Sequence, residues 1–152
     1  MSQSDSLPKK FLVAVEGSEP SLKESSMKAA RYALKLAGLT GAEVVGVCVV
    51  QIPEYIEENT RASLREELLA KSRKTLAEIQ EIASAAGVRF SSKAIETNGS
   101  IPSAISGLVE RMGIDLVVLG TRANTSSLSK MMLGSVAAGV VGNASCPVLV
   151  VR

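Results

Sequence analysis

Gly120, Gly134 and Ser135 are the residues whose types and spacing point most directly to chemistry. The apolar run Leu116–Leu119 stops at Gly120, and a loop rich in hydroxyls and amides follows from Thr121 to Ser129. Gly134-Ser135 then opens a run of small residues from Val136 to Ala144, and a second apolar run, Val148–Val151, comes after Cys146-Pro147. Strand, glycine-bounded loop, glycine-started helix and strand, in that order, expose backbone amides in the loop and at the helix start. Such amides attract an anion, phosphate above all. The missing side chains at Gly120 and Gly134 are expected to let a ligand lie against the main chain. A lone carboxylate, Glu16, ends another apolar run, Phe11–Val15, and two small loop residues follow it.

Composition removes several chemistries at once. The chain has no histidine, which excludes Ser-His-Asp and Cys-His nucleophile pairs, His-based zinc sites and the commonest general base. Ser126, Ser127 and Ser129 therefore read as loop polarity rather than nucleophiles. No catalytic residue and no metal ligand set is assigned. With 17 basic and 15 acidic residues the net charge is only +2, so no field is built for nucleic acid or a membrane surface. Two Phe, two Tyr and no Trp leave no stacking platform for single strands. Cys48 and Cys146 are unclustered and suggest a reducing compartment. No apolar run approaches the ~20 residues needed to span a bilayer. The N-terminal MSQSDSLPKK lacks the apolar core of a secretory signal, and a cytoplasmic protein is expected.

The elements that must position these residues alternate along the chain. Phe11–Val15, Val44–Val50, Arg89–Ile95, Leu116–Leu119 and Val148–Val151 read as strands, mostly continuous apolar runs suited to burial on both faces. A helix is expected from Pro20 to about Ala37, burying Leu22, Ser26, Ala29, Ala33 and Leu36, with Gly38 and Gly41 ending it. A long second helix carries Leu64, Leu68, Leu76, Ile79 and Ala83 as its stripe, and Glu67 and Lys71 are placed for an ion pair. A third, from Pro102 to Met112, buries Ile101, Ile105, Leu108 or Val109, and Met112. Residues 1–9 are read as a flexible tail and 10–152 as one domain. This βαβ alternation predicts an α/β fold with helices on both faces of a mostly parallel sheet. Ligands bind such sheets beyond the carboxyl ends of the strands, where strand order reverses.

VAVEGSEPS (Val13–Ser21), Gly120-Thr121-Arg122, LGSV (Leu133–Val136) and the ending CPVLVVR (Cys146–Arg152) occur in the order and spacing of one family. From about Lys10 onward the chain resembles a universal stress protein. The resemblance implies a three-layer α/β/α sandwich, Rossmann-like and adenine nucleotide alpha hydrolase-like, on a five-stranded parallel sheet ordered 3-2-1-4-5. It also implies a homodimer joined through the Val148–Val151 edge strand, an unidentified protein partner, and ATP or another adenine nucleotide as ligand, with Mg2+ riding on the phosphates. Carried over residue by residue, Ala14 joins the nucleotide site, Glu16 lies near the ribose, and Val49 meets adenine through its backbone. Gly120, Arg122, Ala123, Gly134, Ser135 and Val136 line the phosphates; Lys130 is a weaker candidate.

The chain also departs from the family pattern. The ATP-binding branch carries Gly, two residues, Gly, nine residues, then Gly-Ser or Gly-Thr. Here Ala123 stands where the second glycine belongs, and ten residues, Asn124 to Leu133, separate it from Gly134. Glu16 replaces the usual aspartate and reaches one methylene further. Three functions follow from these features. The first is a nucleotide-binding regulatory stress-response homodimer, not an enzyme. The second is a dimeric interaction module of the same family that binds no nucleotide. The third, with the least support, is a slow ATPase whose only visible base would be Glu16.

Overall fold

The computed structural model describes residues 6–16, 20–121 and 133–152. The elements are β1 (Lys10–Val15), α1 (Pro20–Thr40), β2 (Glu43–Gln51), α2 (Glu58–Ala86), β3 (Phe90–Thr97), α3 (Ile101–Met112), β4 (Leu116–Gly120), α4 (Ser135–Asn143) and β5 (Val148–Val151). The five strands form one sheet ordered β3-β2-β1-β4-β5, with every neighbouring pair parallel. β1 is central: Phe11 pairs with Val44 on one side and with Leu116 on the other.

The continuous apolar strands are explained by burial on both faces. Phe11, Val13 and Val15 point into a layer shared with Ala29, Ala30, Ala33 and Leu34 of α1 and Leu76, Ile79 and Ala83 of α2. Leu12, Val45, Val47, Val117 and Leu119 point the other way, against Ile105, Leu108 and Val109 of α3 and Ala137 and Val140 of α4. The three-layer architecture follows from this alternation. β5, at the margin, is half-buried along its whole length.

Two expectations are adjusted in the helices. α1 passes Gly38 and stops at Gly41, whose φ of 75° gives the left-handed turn that ends it, with its amide on the Ala37 carbonyl at 2.8 Å. On α2, Leu76, Ile79 and Ala83 are buried but Leu64 and Leu68 are only half-buried. A 29-residue helix is ~43 Å long, whereas the nine residues of β2 reach only ~30 Å, so the N-terminal part of α2 has less sheet to cover. Ser26, Ala29 and Ala33 are buried as expected, Leu36 is half-buried, and the side chain of Leu22 lies outside those described. Glu67 and Lys71 do pair, at 3.2 Å on the solvent face.

Lys9 is already tied to the starts of the neighbouring strands: its amide donates to Asp115 Oδ2 at 3.0 Å, and its carbonyl accepts from the Glu43 amide at 2.9 Å. Residues 1–5 of the expected tail lie outside the described residues. No described helix is long and apolar enough to cross a membrane.

Candidate functional site

Strand order reverses between β1 and β4, since β1 continues to β2 on one side and to β4 on the other. At the carboxyl ends of these two strands lies a cleft of about 260 Å3. It brings together Ala14, Glu16, Val49, Gly120, Gly134, Ser135 and Val136, which stand far apart in the chain. Arg122 and Ala123 lie outside the described residues.

The cleft lining is partly apolar and partly polar. Ala14, Val47, Val49, Ile101, Ile105 and Leu119 line it from the layer shared with α3 and α4. Ser25, Ser26 and Thr121, with Ser135 at the start of α4, supply its polar lining. Among the described residues, Glu16 is the only charged one in the lining.

The start of α4 has backbone geometry suited to an anion. Gly134 occupies its cap position at φ 84° and ψ 158°, and among the described residues no side chain caps the helix. That combination is essentially restricted to glycine, so backbone geometry demands this residue. A Cβ there would meet no described atom within 4 Å, and the amides of Ser135, Val136 and Ala137 lie in the first turn of the helix. These are donors that no intrahelical carbonyl can satisfy. By contrast, Ser100 caps α3 by accepting from the Ser103 amide at 3.2 Å.

Gly120 has a different role from the one its sequence position suggested. A Cβ on it would collide with the carbonyl group and Oγ of Ser25. The missing side chain therefore admits α1 to the end of β4 and leaves no added room for a ligand. Ser25 Oγ then donates to the Thr121 carbonyl, and the Glu16 amide donates to Ser26 Oγ at 2.8 Å. The two serines fasten α1 to the ends of β4 and β1. Sequence reasoning placed Ser26 on the buried face but missed its hydrogen bond, and it missed Ser25 altogether. The only available signal was a pair of hydroxyls beside the sheet-facing side of a helix.

The opposite wall is fixed in a similar way. A Cβ on Gly139 of α4 would stand 2.5 Å from Pro102 Cγ of α3, so the two helices touch where Ile101 enters the cleft lining. The thiols offer no nucleophile. Cys48 is buried, and burial pushes the Cys146 thiol above its ordinary value. Among the described residues, no three potential metal ligands gather.

Residues 8–152 match the family model described as the universal stress protein family. The chain is 32% identical over 151 residues to a universal stress protein of Methanocaldococcus jannaschii, covering 97% of this chain and 84% of that one. A crystal structure of a universal stress protein family member from Burkholderia pseudomallei is similar at TM-score 0.69 and 27% identity, covering 94% of this chain and 95% of the other. An Arabidopsis thaliana family member, solved with AMP bound, shares the fold at TM-score 0.69 and 23% identity, covering 95% and 91%. The motifs, the strand order and these similarities agree, and the chain belongs to the universal stress protein family.

Proposed function

We propose that the protein is a regulatory adenine-nucleotide-binding protein that holds ATP or a related nucleotide in the cleft between β1 and β4. The observation that carries this reading is the convergence of an apolar lobe, a carboxylate and an uncapped helix start within one cleft. Adenine lies against Val49 and Ala14, in the lobe walled by Val47, Ile101 and Ile105. Glu16 accepts from the ribose hydroxyls. The phosphates meet the amides of Ser135 and Val136, where the helix dipole also favours negative charge, and Arg122 adds a forked cation from the loop after Gly120. Mg2+ rides on the phosphates rather than on a protein ligand cluster. The AMP-bound Arabidopsis protein supports this reading to the extent that the same fold accommodates an adenine nucleotide.

The protein acts as a cytoplasmic homodimer joined through Val148–Val151, where an edge strand would otherwise leave its hydrogen-bonding groups unpaired. The dimer passes ligand state to a partner protein. Ala123 and the extra loop residue favour one competing reading, a dimeric module that binds no nucleotide.

Calorimetric titration with ATP and magnesium separates the two, with Ser135→Asp as the blocked control. A carboxylate in the first turn of α4 suits the helix dipole but competes with phosphate for the same amides. Saturable binding that is lost in Ser135→Asp is the expected result. A flat trace to millimolar ATP from intact dimer would replace the nucleotide reading with the interaction module.

A further inference from the structure

Lys28, Arg31, Tyr32, Lys35 and Leu39 share the solvent side of α1. At 3.6 residues per turn they fall within about 100° of arc and span roughly 16 Å of helix. The opposite side of α1 packs on the sheet, where Met27, Ala29, Ala30, Ala33, Leu34 and Ala37 are buried. Lys28, Arg31 and Lys35 are all exposed, and among the described residues none of them forms an ion pair. Tyr32 is 47% exposed and Leu39 85%. Only three other large apolar side chains, those of Leu7, Tyr55 and Val141, are exposed among the described residues, so these two mark the stripe as partly apolar.

The stripe differs from the solvated face of α2. There Glu66 and Glu67 precede Arg73 and Lys74 by two turns, and Glu67 pairs with Lys71. On α1, by contrast, no Asp or Glu occurs between Glu24 and Glu43. Lys23, nearer the helix start, pairs across to Glu78 of α2 at 2.8 Å. Lys28 and Arg31 stand three residues apart, and Arg31 and Lys35 four. Like charges at those spacings destabilise a helix, so carboxylates supplied from outside would relieve a repulsion that the chain leaves uncompensated. A helix that binds a bilayer needs a broad apolar face, and that of α1 is already in the core. An acidic protein segment with a few apolar side chains of its own matches the stripe both in charge and in surface.

We propose that the outer face of α1 docks an acidic segment of a partner protein, whose carboxylates meet Lys28, Arg31 and Lys35 while its apolar side chains cover Tyr32 and Leu39. The same helix touches the cleft, since Ser25 Oγ donates to the Thr121 carbonyl and Ser26 Oγ accepts from the Glu16 amide. The inference rests on the reading above only for the partner's regulatory role, to which it gives a surface and a chemistry. The docking itself requires no nucleotide.

The test titrates the full chain, free of nucleotide, with a fluorescein-labelled peptide of about 20 residues, long enough to be helical. The peptide carries Glu at i, i+3 and i+7 with Leu beside them. Saturable binding is expected, with an affinity that falls as salt rises. Reversing the stripe with Lys28→Glu, Arg31→Glu and Lys35→Glu together should weaken binding at least about tenfold. Leu39→Ser, at an exposed position, should weaken it about fivefold. Arg73→Glu, Lys74→Glu and Arg89→Glu together change the net charge equally from outside α1 and should leave affinity within about twofold. Equal weakening by the two triple variants would overturn the stripe in favour of net charge alone. Full affinity in Leu39→Ser, or for a peptide with Ser in place of Leu, would overturn the apolar half of the surface. Absence of saturable binding, or stronger binding to phosphatidylserine vesicles than to the peptide, would overturn the docking assignment. Calorimetry with ATP reads the cleft separately, so either reading can fail while the other stands.

Discussion

Ser25 occupies the space that a side chain at position 120 would need. A Cβ on Gly120 would stand 2.5 Å from Ser25 Oγ and 2.8 Å from its carbonyl carbon. The obstruction is main chain on a helix, which cannot rotate aside as a side-chain tip can. Gly120→Ala must therefore push α1 away from β4 or distort the strand end. Overpacking of this kind costs about 1–3 kcal/mol, read as a lower urea midpoint at unchanged m-value. An unchanged midpoint would mean that α1 packs more loosely on β4 than this contact requires.

Ser26 is 6% exposed and is the acceptor for the Glu16 amide. Ser26→Ala removes that acceptor at the point where β1 ends and the cleft begins. Leaving a poorly hydrated donor unsatisfied costs about 1–3 kcal/mol. The expected signature is local: amide exchange at Glu16 should accelerate beyond what the global stability loss explains. Equal acceleration across β1 would instead point to a general loosening of the sheet.

Glu96 provides a pH dependence with a definite sign. The Arg65 hydrogen bond, above all, holds its carboxyl below the ordinary value of 4.5, with Arg61 adding to the effect. Arg65 Nε lies 2.6 Å from Glu96 Oε2, and Arg61 lies 3.4 Å from Oε1. A carboxylate depressed in the folded state contributes stability above its unfolded pKa and loses it as pH falls through the folded value. The cluster is solvated, so the effect is small and weakened by salt. In low-salt buffer, Glu96→Gln should show a shallower loss of urea midpoint than the parent as pH drops below the ordinary carboxylate range. Parallel acid profiles would remove Glu96 from the protein's acid sensitivity.

The sequence made the cleft's edges more legible than its construction. Glu16, Gly134 and Ser135 sit where an apolar run stops or a small-residue helix begins, and those local boundaries place them at the carboxyl edge of the sheet. The alternation of elements indicated parallel strands with helices on both faces, but no local pattern fixes which strand lies beside which. The order came from family resemblance and was then found in the pairing of Phe11 with both Val44 and Leu116. Gly120 was located correctly and given the wrong reason, because the residue that needs its empty space, Ser25, is 95 positions earlier. Ser25 escaped notice as a site residue for the same reason. Hydrophobic periodicity can say that a face is buried, but not which strand end that face meets.

Close glycine contacts hold both walls of the cleft: Gly120 against the Ser25 main chain and hydroxyl on one side and Gly139 against the Pro102 ring on the other. Neither contact involves a long side chain that could swing away. A ligand thus enters a site that is largely assembled before it arrives and spends little of its binding energy on reorganising the walls. Backbone shifts in β1, β4, α3 and α4 on binding should stay within about 1 Å. Association would then be governed by diffusion rather than by a hinge between layers.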